Sequence, residues 1–172
     1  MTLEEIAPIA ADLGLQTAMV IEAGGAIARW KDGAWDVEPC GPPAEAFLSV
    51  VADIEDRSGA SLSVYSVMEE SAAAKVSGHS GVMLRASTRR SFSEPFLIES
   101  GDPEAIKQAA AEIGFSVRRG RRFFHLCREC DEGEDFSRLR EELRCDVAIA
   151  AGGSLVDAEF LMRAEIPIAV PG

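Results

Sequence analysis

Seven of the 14 arginines fall in two short clusters: Arg85, Arg89 and Arg90, then Arg118, Arg119, Arg121 and Arg122. Only three lysines accompany them, Lys31, Lys75 and Lys107. A guanidinium is a planar fork that matches carboxylate and phosphate, whereas an ammonium is a point charge. In a chain of formal charge −12, two such clusters point to a local site for a small anion. The competing reading pairs each arginine with one of the 29 acids, because exposed ion pairs are common and contribute little.

Three other groupings have chemical potential. Cys127-Arg128-Glu129-Cys130 is a C-x-x-C with His125 two residues before it, and Cys40 and Cys145 complete the thiols. Structural zinc usually needs two such pairs or a Cys2His2 spacing, and a redox pair should open a helix after a strand. The plain alternative is ordinary thiols beside a hairpin. Gly152-Gly153-Ser154 ahead of a helix would suit an anion at the helix N-terminus, or simply a tight turn. His79 follows Gly78 in an expected loop and reads as a solvated histidine. No Ser-His-Asp order stands out.

The elements that position these residues alternate in type. Helices are predicted over Leu3–Leu13, Ala44–Arg57, Glu69–Ser77, Ser80–Ala86, Pro103–Ile113, Phe136–Leu143 and Val156–Arg163. The first has Thr2 as N-cap with Glu5 three residues on, a capping box. Phe47, Leu48, Val51 and Ile54 form the apolar face of the second. Strands are predicted over Thr17–Ile21, Leu62–Tyr65, Phe92–Glu99, Val147–Ala150 and Ile166–Val170. Two hairpins join them, Ala26–Trp30 with Trp35–Val37, and Phe115–Arg118 with Arg122–Leu126. Asp32-Gly33 supplies the left-handed turn of the first hairpin. Gly41-Pro42-Pro43 is the clearest break in the first half. Continuous apolar strands at both ends predict a parallel sheet covered on both faces, with an α+β insert between them. The acidic balance (pI about 4.6) disfavours nucleic acid as a partner. No apolar run reaches the ~18 residues that span a bilayer. Acids stand near Met1 where a signal peptide carries bases, so a cytoplasmic location is expected.

Several segments, in this order, resemble the mannosyl-3-phosphoglycerate phosphatases of the haloacid dehalogenase superfamily, Cof-like subclass. They are Val20-Ile21-Glu22-Ala23-Gly24-Gly25-Ala26-Ile27, Arg90-Ser91-Phe92-Ser93-Glu94-Pro95-Phe96, Arg119-Gly120-Arg121-Arg122-Phe123-Phe124-His125-Leu126, Gly152-Gly153-Ser154-Leu155-Val156-Asp157 and Ile166-Pro167-Ile168-Ala169-Val170-Pro171. The resemblance implies an α/β fold: a partial Rossmann-like core of parallel strands, residues 1–41 and 127–172, with an inserted α+β cap over 42–126. It implies that Arg90, Ser93 and Glu94 lie in a substrate-recognition motif. Arg119, Arg121 and Arg122 join them as expected substrate-binding residues.

The departures from that family carry as much meaning. Its members use a strand with Asp-x-Asp-Gly, whose first Asp attacks phosphorus and whose second is the general acid/base; this sequence contains no such motif. The landmarks place its start after that strand and after the next, which carries a phosphate-holding Ser or Thr. The family's Asp-Lys-Gly is here Asp131-Glu132-Gly133, a reversal of charge. Its magnesium loop, Gly-Asp-x-x-Asn-Asp, keeps only Asp157, a vestigial metal ligand. A carboxylate nucleophile needs cations to approach a phosphate dianion, and Mg²⁺ needs several oxygen ligands. The sequence therefore reads as a degenerate, inactive homologue that binds a small anionic ligand or a protein partner through its Arg-rich cap. In that reading there is no cofactor. Two alternatives stand beside it: an Mg²⁺-dependent phosphatase whose nucleophile segment comes from another chain, and a metal or redox module built on Cys127 and Cys130. A core without its central strands would leave open apolar edges, so either the two halves pair directly or a homo-oligomer or complementing chain closes the sheet.

Overall fold

The structure, a computed structural model, describes residues 1–40, 43, 45–128, 132–153 and 157–170, with the side chains of 45, 132 and 134 outside that description. The Gly41-Pro42 break, Cys130, Asp131 and the 154–156 segment of the glycine-rich loop lie outside it.

The chain opens with α1 (Leu3–Asp12). Thr2 Oγ1 accepts the Glu5 N–H at 3.1 Å and Glu5 Oε2 accepts the Thr2 N–H at 2.6 Å, so the capping box forms as the sequence predicts. Three strands follow, β1 (Ala18–Ile21), β2 (Ala26–Lys31) and β3 (Ala34–Pro39). They pair antiparallel in sequence order, with Val20 opposite Ile27 and Trp30 opposite Trp35. Asp32 (φ 51°) and Gly33 (φ 85°) make the two-residue turn between β2 and β3.

A larger antiparallel sheet has the order β4-β5-β7-β6, from β4 (Ser61–Val64), β5 (Glu94–Ser100), β6 (Phe115–Arg119) and β7 (Phe124–Arg128). Its core is built with α2 (Glu45–Ser58) and α5 (Pro103–Glu112). Phe47, Val50, Val51 and Ile54 pack with Ile106, Ala109 and Ala110 against Phe96, Val117 and Leu126. Leu48, predicted for this apolar face, is 45% exposed, and Val50 takes its place. The i, i+3, i+4, i+7 pattern runs 47, 50, 51, 54, and residue 48 is turned away from it. Between β4 and β5 lie a 3-10 turn (Tyr65–Val67), α3 (Glu70–Ser77) and α4 (Gly81–Thr88). Tyr65, Ala73 and Leu84 form a small cluster of their own, with Phe123 against it.

After α6 (Glu132–Glu142), β8 (Ile149–Gly152) and β9 (Ile166–Ala169) pair in parallel around the short α7 (Ala158–Leu161). Here the structure corrects the sequence reading. The parallel sheet covered on both faces is reduced, among the described residues, to this one pair, and all four residues of β9 are exposed. The N-terminal strand is antiparallel because only residues 22–25 join β1 to β2, a hairpin-length link; β8 and β9 are parallel because α7 lies between them. Val147, predicted to begin the buried strand, precedes β8 and is 58% exposed. Direct pairing of the two halves is not what forms either, since β1 and β8 stand in different sheets.

Candidate functional site

Strand alternation decides which arginines meet. On β7, Phe124 and Leu126 face the helices, so His125 projects from the opposite face; on β5, Phe96 faces the helices and Pro95, opposite His125 in register, does not. That opposite face carries a cavity of about 320 Å3. Arg90 reaches it from the segment between α4 and β5, and Arg121 and Arg122 reach it from the β6–β7 hairpin. Tyr65 and His79 line it from the 3-10 turn and from the link between α3 and α4.

The three cations are held differently. Arg90 donates from Nε and Nη2 to Ser93 Oγ at 3.2 and 2.9 Å, and its Nε lies 3.7 Å from Glu22 Oε2. Its side chain is only 8% exposed. Arg122 donates from Nη1 to the Ser77 carbonyl. Arg121 makes no hydrogen bond among the described residues, which leaves its guanidinium available to a ligand. Among the described lining residues Glu5 is the one acid, its carboxylate accepting the Thr2 N–H, and the buried Glu22 carboxylate stands behind Arg90. Burial, aided by the nearby Arg90 charge, lowers the His125 pKa to about 4, so its imidazole is neutral at pH 7.

The other sequence-predicted residues lie elsewhere. Ser93 and Glu94 are buried and do not line the cavity. Ser93 braces Arg90. Glu94 accepts the Ser66 N–H and Oγ–H at 3.0 and 2.6 Å, and burial raises its pKa. The structure does not bring Arg119 to this cavity. Arg119 pairs with Phe124 in register and so shares the helix side of the sheet, where its guanidinium stands 5.2 Å from the Phe124 ring centre. Two of the three remaining cluster members are engaged too, Arg118 with Glu159 (3.6 Å) and Arg89 with Glu4 (3.6 Å), and Arg85 does not line the cavity. His79, read as a solvated loop histidine, is half-buried at the cavity wall. Sequence reasoning missed Tyr65 and Glu22 as site residues. The signal for His125 was its place between two core residues of a strand; none marked Tyr65.

A second cavity, of about 440 Å3, lies between β1 and β8 and is lined by Val20, Glu22, Phe136, Ile149 and Asp157 among others. Among the described residues β1 and β8 are both edge strands of their sheets. Ile166 and Val170 donate to the carbonyls of Ala148 and Gly152, so the backbone groups of Ile149 and Ala151 are directed away from β9. Asp157 is the single carboxylate the resemblance assigns to magnesium. Its Oδ2 accepts the Gly153 N–H at 2.9 Å. Glu22, also at this cavity, is engaged with residues 91–93. Among the described residues no group of three or more His, Cys, Asp or Glu is arranged to hold a metal. The described carboxylates at this cavity, Glu22 and Asp157, are both held by backbone N–H groups, a donor set that among the described residues does not fit Mg²⁺. Cys127 is buried and lies 3.7 Å from the Ser116 carbonyl, and Cys145 is exposed.

No family profile matches the chain. The glucosyl-3-phosphoglycerate/mannosyl-3-phosphoglycerate phosphatase of Persephonella marina is 29% identical over 92 residues, covering 48% of this chain and 33% of that protein. The crystal structure of Thermoplasma acidophilum 0175 matches with a TM-score of 0.60 at 16% identity, covering 97% of this chain and 63% of that one. The chain is thus a mixed α/β protein that shares its fold with a solved structure and is distantly similar to a sugar-phosphate phosphatase. It spans about a third of the length of that curated relative in the matched region and less than two thirds of the solved structure. No helix among the described residues is long and apolar enough to cross a membrane.

Proposed function

We propose that this chain binds a small phosphorylated or carboxylated molecule in the Arg90–Arg121–Arg122 cavity and performs no phosphoryl transfer by itself. The observation that carries this reading is the convergence of three guanidinium groups from two distant segments on one cavity, where Glu5 is the one acid among the described lining residues. His79 and the neutral His125 offer hydrogen bonds to an ester oxygen or a hydroxyl, while the Tyr65 hydroxyl is held by Ser87 Oγ at 2.8 Å. The similarity to a glucosyl- or mannosyl-3-phosphoglycerate phosphatase makes 3-phosphoglycerate and its glycosides the first ligands to test. Hydrogen bonds to a charged partner contribute about 1.5–3 kcal/mol each. Arg121→Ala and Arg122→Ala are therefore expected to weaken 3-phosphoglycerate binding about tenfold or more apiece by isothermal titration calorimetry. Absence of heat and of any thermal shift with every such ligand refutes the reading; a ligand at 100 times its Kd adds ~2.7 kcal/mol of stability.

The cavity between β1 and β8 supports a second reading, in which another chain lays an extended segment against these two edge strands and supplies the phosphatase carboxylates. Sedimentation of the purified chain bears on it: a stable monomer that hydrolyses no phosphate ester counts for the first reading, and a hetero-complex with turnover for the second.

A further inference from the structure

The Arg90 guanidinium does not stand in the cavity wall by its own connections. The segment that carries it has no regular structure between Thr88 and Glu94. What holds that segment is Glu22, 68 positions away in sequence at the turn after β1. The Glu22 side chain is buried, and its carboxylate accepts the Ser91 N–H at 3.1 Å, the Phe92 N–H at 3.0 Å and the Ser93 hydroxyl at 3.2 Å. Its Oε2 also faces Arg90 Nε at 3.7 Å. Ser93 thus receives Arg90 and donates to Glu22, a relay in which each group is fixed by the next.

The backbone beneath this arrangement is strained. Glu22 (φ 51°) and Ala23 (φ 57°) are consecutive non-glycine residues in the left-handed region, followed by Gly24 (φ 82°). Such conformations persist where the surroundings over-determine them. Here the surroundings are the four contacts of the carboxylate and the close approach behind it. A Cβ on Gly25 would stand 2.4 Å from Phe92 Cβ and 2.7 Å from the Phe92 carbonyl oxygen. The turn and the Arg90 segment are therefore locked face to face, one from the three-stranded sheet and the other from the link into the four-stranded sheet.

We infer that Glu22 is the positioning residue of the anion cavity, holding the Arg90–Ser93 segment so that the guanidinium is presented to the ligand. The inference rests on the proposed anion-binding reading, and it adds a residue that does not itself line the anion cavity.

The test uses two readouts on the full chain. The first needs no ligand: hydrogen exchange at Arg90 Nε, followed by 15N NMR and assigned with Arg90→Lys. Exchange is slow in the parent protein and accelerates in Glu22→Ala; Glu22→Gln, which keeps an acceptor but no charge, restores part of the protection. The second is titration with 3-phosphoglycerate across a double-mutant cycle. Glu22→Ala and Arg90→Ala each weaken binding about tenfold, and the double variant is no weaker than Arg90→Ala, because Glu22 acts through Arg90. Unchanged Nε exchange in Glu22→Gln and Glu22→Ala, or fully additive losses, overturns the inference. A parent protein that binds no anion refutes the proposed function instead, and the exchange readout then decides by itself whether Glu22 holds Arg90. If Glu22→Ala does not fold, Glu22→Gln carries both readouts.

Discussion

Histidine 125 offers a quantitative check on the cavity, because its neutrality at pH 7 follows from where β7 places it. The folded pKa is about 4, against an ordinary 6.5, with burial the first cause and the Arg90 charge the second. Between those values the unfolded chain binds more protons than the folded one. Stability therefore rises with pH across the window and is lost as pH falls from 6.5 toward 4. From pH 7 to pH 5 the loss comes to ~2 kcal/mol, because the unfolded imidazole is almost fully protonated at pH 5 and the folded one is not. Glu94 acts in the opposite sense, since burial raises its pKa and the folded chain gains protons more readily than the unfolded one. His125→Gln removes the first contribution and keeps the second. Urea denaturation at pH 7 and pH 5 is expected to show the parent losing ~2 kcal/mol more than His125→Gln over this interval. Equal pH dependence in the two proteins, or an NMR titration of His125 near 6.5 in the folded state, refutes the placement of the imidazole.

Other outcomes follow from the same geometry. Gly25→Ala forces a Cβ to within 2.4 Å of Phe92 Cβ and should cost about 2–4 kcal/mol by chemical denaturation. Thr2→Ala removes the acceptor for the Glu5 N–H and the donor to the Ala86 carbonyl (3.1 Å), a loss of about 1–2 kcal/mol measured the same way. With Mg²⁺ and a generic phosphate ester the chain alone should show no turnover, and Asp157→Ala should change nothing; turnover abolished by that substitution contradicts the inactive reading.

Local elements were largely legible in the sequence. Thr2 and Glu5 mark the start of α1, Asp32-Gly33 marks the hairpin, and Pro103 and Gly114 bracket α5, because each rests on the chemistry of a few adjacent residues. Sheet composition was not legible. Val20-Ile21 and Ile149-Ala150 are alike as apolar runs, yet one enters an antiparallel meander and the other a parallel pair. What separates them is the length of the link to the next strand and the presence of α7. The site was legible in part for the same reason. Arg90, Arg121 and Arg122 stand out as unusual residues, but Arg119 is excluded from the cavity by a one-residue alternation that depends on where β6 begins. Tyr65 enters only through tertiary packing against Phe123, whose rings lie 4.9 Å apart. Glu22 is one acid among 29 until its burial is seen.

The most direct measurement on the anion site is an NMR titration of the 15N,13C-labelled chain with 3-phosphoglycerate, followed at the arginine Nε–H and histidine ring signals. Saturable shifts confined to Arg90, Arg121, Arg122, His79 and His125 are the expected result. Shifts spread over the exposed arginines with no saturation, or none at all, contradict it.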